Sequence, residues 1–206
     1  VLAIVNSALA KVHEDPISSL DEDRRAANIA AIQYPIHRDK LLRLYQWRFA
    51  TARAVLAPDA AAPEFGMAYK FLLPTDCLKV IGVYDKRDAY RDINYTSGSL
   101  VYKVEGRYLL ANTNPIYLYY TKRVTDPTQF DSMFSEALAW SLAVDFALSL
   151  SNSQTRAELA RAELREVIRQ ARLASAIEAS PEVLRGGTWL LVDDPSPVYG
   201  FPPLGP

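Results

Sequence analysis

VTDPTQFDSMFSEALAWSLA, residues 124–143, contains the switch on which the fold turns. Asp126 followed by Pro127 matches a helix N-cap with proline at the first helical position, and Gln129 stands where a capping box takes Glu or Gln. Asp131 can cap a longer helix that carries Met133, Phe134, Leu138, Trp140 and Leu142 into a core. A catalytic pair is the competing reading of these carboxylates. A glycosidase needs two carboxyl groups about 5–10 Å apart across a groove, and here every acidic pair belongs to a helix start or a turn. The aspartates are therefore read as caps, and helices resume near residue 131.

Upstream of this switch the texture is β. From Tyr69 to Lys122 the segments FLLPTDCLKVIGVYD (71–85), INYTSGSLVYKVEGRYLLAN (93–112) and PIYLYYTKRV (115–124) are rich in Val, Ile, Leu and Tyr, with SGS and EGR as turns. Leu100, Tyr102 and Val104 alternate with Val101, Lys103 and Glu105, and Ile116, Leu118 and Tyr120 oppose Tyr117, Tyr119 and Thr121. This predicts a small antiparallel sheet of three to five strands.

Helical patterns lie on both sides. Leu2, Val5, Leu9 and Val12 share a face of an opening helix, read as one shortened by a residue or two at its start. Pro16 ends it. Ser19 and Glu22 have capping-box spacing, and the acidic run 21–23 suits a helix N-terminus, so a second helix is expected from about 21 to 45, kinked or broken near Tyr34 by Pro35. APDAAAPEFG (57–66) marks a connection. Downstream, a helix at 131–150 is followed by one at 154–178, in which Ala157, Ala160, Leu164, Val167, Ala171, Ala174 and Ile177 form the apolar face. Beyond Ser180 the prolines and glycines of RGGTWLLVDDPSPVYGFPPLGP (185–206) cannot build a core alone.

The expected fold is therefore α+β, mainly α. A four-helix-type bundle is made from 1–56 and 131–180, an antiparallel β-domain is inserted at 57–130, and 181–206 form an extended arm. Aromatic anchors on an extended segment commonly grip another chain, so Trp189, Leu190, Tyr199 and Phe201 are the candidate partner-binding residues.

Composition narrows the chemistry. With 206 residues, half of them hydrophobic, 23% charged and a net charge of -1, the chain has the profile of a globular protein without a polybasic face. One cysteine and two histidines are too few for a closed zinc site; the lone Cys77 fits folding in a reducing cytoplasm and is expected to be buried in its strand. No window has the roughly 18 apolar residues of a membrane span. Serine elbows and phosphate-cradling glycine loops are missing from the sequence. His13 and His37 each lie near an acidic residue, as happens often by chance. The tyrosine-rich strands, interleaved with Arg91, Lys103 and Arg107, could stack sugars or bases, or simply pack as a sheet. Neither an enzymatic role nor a cofactor is expected.

Four stretches in order, NSALAKVHEDPISSLDED (6–23), YPIHRDKLLRLYQWRFATARAVL (34–56), FLLPTDCLKVIGVYD and VTDPTQFDSMFSEALAWSLA, resemble the tail tubular protein A, or head-to-tail adaptor, family of short-tailed bacteriophages. RGGTW near 186 resembles that family's tail as well, whereas PSPVYGFPPLGP (195–206) has no counterpart. The resemblance covers most of residues 4–150 and implies structural roles for Pro16, Arg38, Asp39, Trp47, Phe49, Asp76, Asp126, Pro127 and Phe130. It further implies a virion neck component made in the host bacterial cytoplasm. Such a component forms a homo-oligomeric ring, usually of twelve subunits, between the portal and the tail nozzle, and it retains and releases the genome. The near-neutral charge agrees with double-stranded DNA sliding through without sequence-specific binding, because a strongly basic lumen would hold phosphates by counterion release. The alternative is a tail-associated carbohydrate-binding or cell-wall-degrading protein that uses the β-domain.

Overall fold

A computed structural model describes residues 1–85 and 100–178 of the chain. The fold is α+β and mainly α, with four helices among the described residues: α1 (Leu2–Lys11), α2 (Arg25–Leu44), α3 (Ser132–Ser149) and α4 (Gln154–Glu178). Between α2 and α3 run six strands: β1 (Thr51–Leu56), β2 (Tyr69–Leu72), β3 (Cys77–Tyr84), β4 (Tyr102–Glu105), β5 (Tyr108–Ala111) and β6 (Ile116–Lys122). The chain divides into two compact units, Val1–Ala171 and Arg172–Pro206. The arm residues Trp189, Leu190, Tyr199 and Phe201, and the SGS turn, lie outside the described residues.

In the first unit the helices enclose one apolar core. Val5 and Leu9 of α1 and Val12 just beyond it meet Ala27, Ala30 and Leu42 of α2, Phe134, Leu138, Leu142 and Phe146 of α3, and Ala157, Ala160 and Val167 of α4. The three-four rhythm of α4 buries Ala157, Ala160 and Ala171 as expected, but Ala174 is exposed. Lys11 ties α1 to α3, its ammonium 2.7 Å from Glu136 Oε1 and 4.1 Å from the centre of the Trp140 ring. That places a cation over an aromatic face and beside a carboxylate at once.

Two details of α2 depart from expectation. It starts at Arg25, after the acidic run, without a side-chain cap. Glu22 Oε2 does accept from the Ser18 and Ser19 amides, and Ser19 Oγ from the Asp21 amide, so the capping-box groups bond one another around a turn ahead of the helix. The reason lies next door: Asn6 holds both the amide and the carbonyl of Ile17, burying that side chain and keeping this strap irregular. Second, α2 continues through Pro35 without a break. Pro35 removes one backbone bond, to the carbonyl of Ala31, but both residues are on the exposed face, where water can serve that carbonyl.

The β part holds two three-stranded antiparallel sheets, ordered β1-β6-β3 and β2-β5-β4, rather than a single sheet. Residues 51–56, assigned from sequence to the bundle, form β1 and pair along the whole of β6 from Thr51↔Thr121 to Leu56↔Ile116. Alternation in TARAVL is masked by alanines, which leaves the segment no strand signature of its own. The sheets share a second core of Phe71, Val83, Leu109, Ala111, Ile116, Leu118 and Tyr120, so of the two alternating sets in β6 it is Ile116, Leu118 and Tyr120 that turn inward. In β4 only Tyr102 is half-buried, and Val104 stays exposed. β4 and β5 are joined by the two-residue loop Gly106–Arg107, and Gly106, at φ 60, occupies the left-handed position such a loop requires.

Candidate functional site

The residues singled out by the resemblance converge on the joint between bundle and sheets, with Pro16 the outlier. Two chain segments cross there. The outgoing one, Tyr45–Ala50, contains a short 3-10 turn at Arg48–Ala50 and leads into β1; the returning one runs from β6 through a second such turn, Pro127–Gln129, into α3. Aromatic rings lock the two together. Trp47 lies edge-on to Phe134 at 5.1 Å, Phe49 meets Phe134 at 5.1 Å and Phe130 at 5.8 Å, and Phe130 meets Phe134 at 4.8 Å. Each such pair contributes about 0.5–1.5 kcal/mol beyond burial. Trp47, itself buried, donates its indole N–H to the Leu41 carbonyl at 3.0 Å, at the end of α2.

A polar seam backs the aromatic one. Asp39 of α2 accepts from Arg38 Nη2 at 2.8 Å and from Arg123 Nε at 2.8 Å, and the Arg123 amide donates to the Asp76 carbonyl at 2.7 Å. Arg43 Nη1 donates to the Leu78 carbonyl in β3. Tyr120 in β6 donates to Asp76 Oδ1 at 3.2 Å, and burial followed by that adjacent carboxylate pushes its phenol up to about 12. One helix face is thus bonded to the ends of two adjacent strands.

The caps behave as the sequence predicts, with one change of element. Asp131 Oδ1 accepts from the Met133 amide at 2.7 Å and starts α3. Asp126 accepts from the Thr128 amide and hydroxyl, which hold its carboxyl below the usual range, but it caps the 3-10 turn rather than an α-helix. Gln129 reaches the Asp126 carboxylate instead of its amide, so the box is not closed. Pro16, far from the joint in sequence, offers its carbonyl to Arg24 Nη1 at 2.8 Å.

Sequence reasoning missed a polar trio. His37 Nδ1 is 2.6 Å from Ser141 Oγ and His37 Nε2 is 2.8 Å from Asp145 Oδ2. The pieces are those of a nucleophilic triad, but their arrangement is not. Serine sits on Nδ1 and aspartate on Nε2, the reverse of the protease order, and Ser141, at 3% exposure inside α3, has no route to a substrate. The trio instead pins α2 to α3 through a buried hydrogen-bonded imidazole. The signal was Ser141 and Asp145, four apart in the mostly apolar second half of α3, which needs a partner that only tertiary structure supplies.

The other candidates are dispersed. Cys77 is half-buried at the start of β3, less covered than expected, and burial together with the nearby Asp76 raises its thiol, which disfavours the nucleophilic thiolate. On the outer face of β6, Arg53 lies over the Tyr119 ring at 5.2 Å and Gln46 donates to the Tyr119 hydroxyl, so one stacking surface is already engaged internally. Arg91 lies outside the described residues. Among the described residues no helix is long and apolar enough to cross a membrane. Compared with protein-family models and with curated proteins, the chain matches none.

Proposed function

We propose that this chain is a structural head-to-tail adaptor of a bacteriophage virion. It forms a ring of copies, about twelve on the family resemblance, between the portal and the tail nozzle, through which double-stranded DNA passes without sequence-specific contact. One observation carries the reading. The residues within the resembling stretches are spent on a joint that fixes a β unit to a helical bundle: Arg38 and Asp39 in ion pairs, Trp47, Phe49 and Phe130 in an aromatic lock, Asp76 against Tyr120 and Arg123. A part that holds two partners in register needs such stiffness, and needs no group free to react. In this reading the chain works without turnover or cofactor, and Trp189, Leu190, Tyr199 and Phe201 grip a neighbouring ring.

The test is to mix the chain with the portal and image the particles by electron microscopy. A ring stacked on the portal is the expected result, and no association overturns the proposal. A chain lacking residues 181–206 is expected to melt as the full chain does and to lose portal binding. Normal binding by that truncated chain removes the arm from the account. Incubation with host polysaccharide or peptidoglycan addresses the other reading, since turnover abolished by a carboxylate substitution would replace the adaptor with a cell-wall enzyme.

A further inference from the structure

Helix α2 carries a row of exposed residues on its outer side. Ala27, Ala30, Tyr34, Leu41 and Leu42 face the core, whereas Ile32, Ile36 and Lys40 recur every four residues away from it. Ile32 is 63% and Ile36 55% exposed. Lys40 and Arg43, both exposed, make the C-terminal end of the row positive. The one carboxylate of α2, Asp39, is already held between Arg38 and Arg123. Arg43 donates to a neutral acceptor, the Leu78 carbonyl, and among the described residues Lys40 is bonded to no carboxylate. A matching partner is therefore apolar over one stretch and acidic just beyond it.

The chain has such a segment in its own arm. TWLLVDD, residues 188–194, lies between Gly186–Gly187 and Pro195; four apolar residues precede two aspartates, and no basic residue follows Arg185. In an extended segment alternate residues share a side, so Leu190, Val192 and Asp194 recur at steps of about 6.6 Å, two residues at ~3.3 Å each. Four residues of helix advance about 6 Å. We propose that Leu190, Val192 and Asp194 of one copy seat on Ile32, Ile36 and Lys40 of a second copy of this chain. Charge fixes the direction, because the reversed arm would set Asp194 on Ile32 and leave Lys40 against Leu190. The two surfaces differ, so the contact is heterologous: each joined copy still offers one arm and one row, the geometry that builds rings. Leu190 then serves the adjacent copy, while Trp189, on the other side of the extended segment, remains with Tyr199 and Phe201 for the neighbouring ring. The inference rests on the adaptor reading for the second copy and for ring closure, and on register and charge for the contact itself.

Sedimentation equilibrium of the full chain tests it. The parent is expected to associate with rising concentration. Lys40→Glu and Asp194→Lys each bring like charges together and are expected to weaken association about tenfold. Combined in one chain they recreate an opposite pair, and association is expected to return. Ile32→Ser/Ile36→Ser changes two exposed positions, so it is expected to melt like the parent and to associate more weakly; should it fail to fold, Asp194→Lys reads the same contact without touching the bundle. A monomeric parent, unimpaired variants, or a combined variant no better than the single ones each overturn the contact. Imaging on the portal separates this from the adaptor role: an Asp194→Lys chain that still builds normal rings refutes the contact alone, and a parent that ignores the portal refutes the role alone.

Discussion

At His13 the chain takes a left-handed turn, φ 60, to end α1, with the Glu14 amide bonded back to the Leu9 carbonyl. This is a position that glycine usually fills. A side chain there is strained by about 1–2 kcal/mol, and glycine returns about 0.5–1 of that as freedom of the unfolded chain. His13→Gly is therefore expected to stabilise by about 0.5 kcal/mol in urea unfolding; a loss of stability would mean that the imidazole does more than close the helix. The trio around His37 gives a second expectation. Ser141→Ala leaves a buried ring nitrogen without its partner and should cost about 1–3 kcal/mol, while a serine-directed fluorophosphonate should leave Ser141 unlabelled in the native protein. Tyr120 gives a third. Its folded value is raised to about 12 from the ordinary 10, so the folded state favours the neutral phenol. The stability this contributes is fully present below pH 10 and is lost as pH rises toward 12. Tyr120→Phe should flatten the alkaline limb of the pH–stability curve, and an unchanged limb would count against the Asp76 contact.

Among the elements, the start of α3 concentrates the most structure in the fewest residues. Phe134 is fully buried and meets three of the rings that close the joint, so Phe134→Ala is expected to cost about 3–5 kcal/mol by denaturant unfolding. Asp131→Ala, one cap lost, should cost about 1 kcal/mol. Asp126 is a test by acid rather than by size. The Thr128 amide and hydroxyl lower its folded value, so its contribution is present above the ordinary carboxylate value of 3.8 and is lost as pH falls through the lowered one. Asp126→Asn should remove that part of the acid limb. Much of this element was legible, because caps, proline and periodicity are local signals. Less so β1: alanines blur its alternation, and its identity comes from pairing with β6, some 65 residues on. The uninterrupted α2 was likewise unreadable, since the tolerance of Pro35 depends on which way Ala31 faces.

For the whole molecule, the division into bundle and β part followed from composition, and the mainly helical class with it. The joint did not. Arg123 and Asp39 are far apart in the chain, and nothing local couples them, nor Trp47 to Phe134; only folding shows that the resembling stretches build one place.

Both crossings of the joint lie at the same end of the antiparallel pair β1 and β6, and the loops 57–68 and 112–115 occupy the other, where Ala68 bonds to Asn112 and Phe65 is 89% exposed. Among the described residues the β unit is thus clamped to the bundle at this end, like a cantilever. A push on the outer rim at Phe65 is felt at the clamp as torque, carried by the Arg123–Asp39 pair and the ring stack, and delivered to α2 and α3. Loosening that clamp should leave each half folded while uncoupling the motion of the rim from that of the bundle.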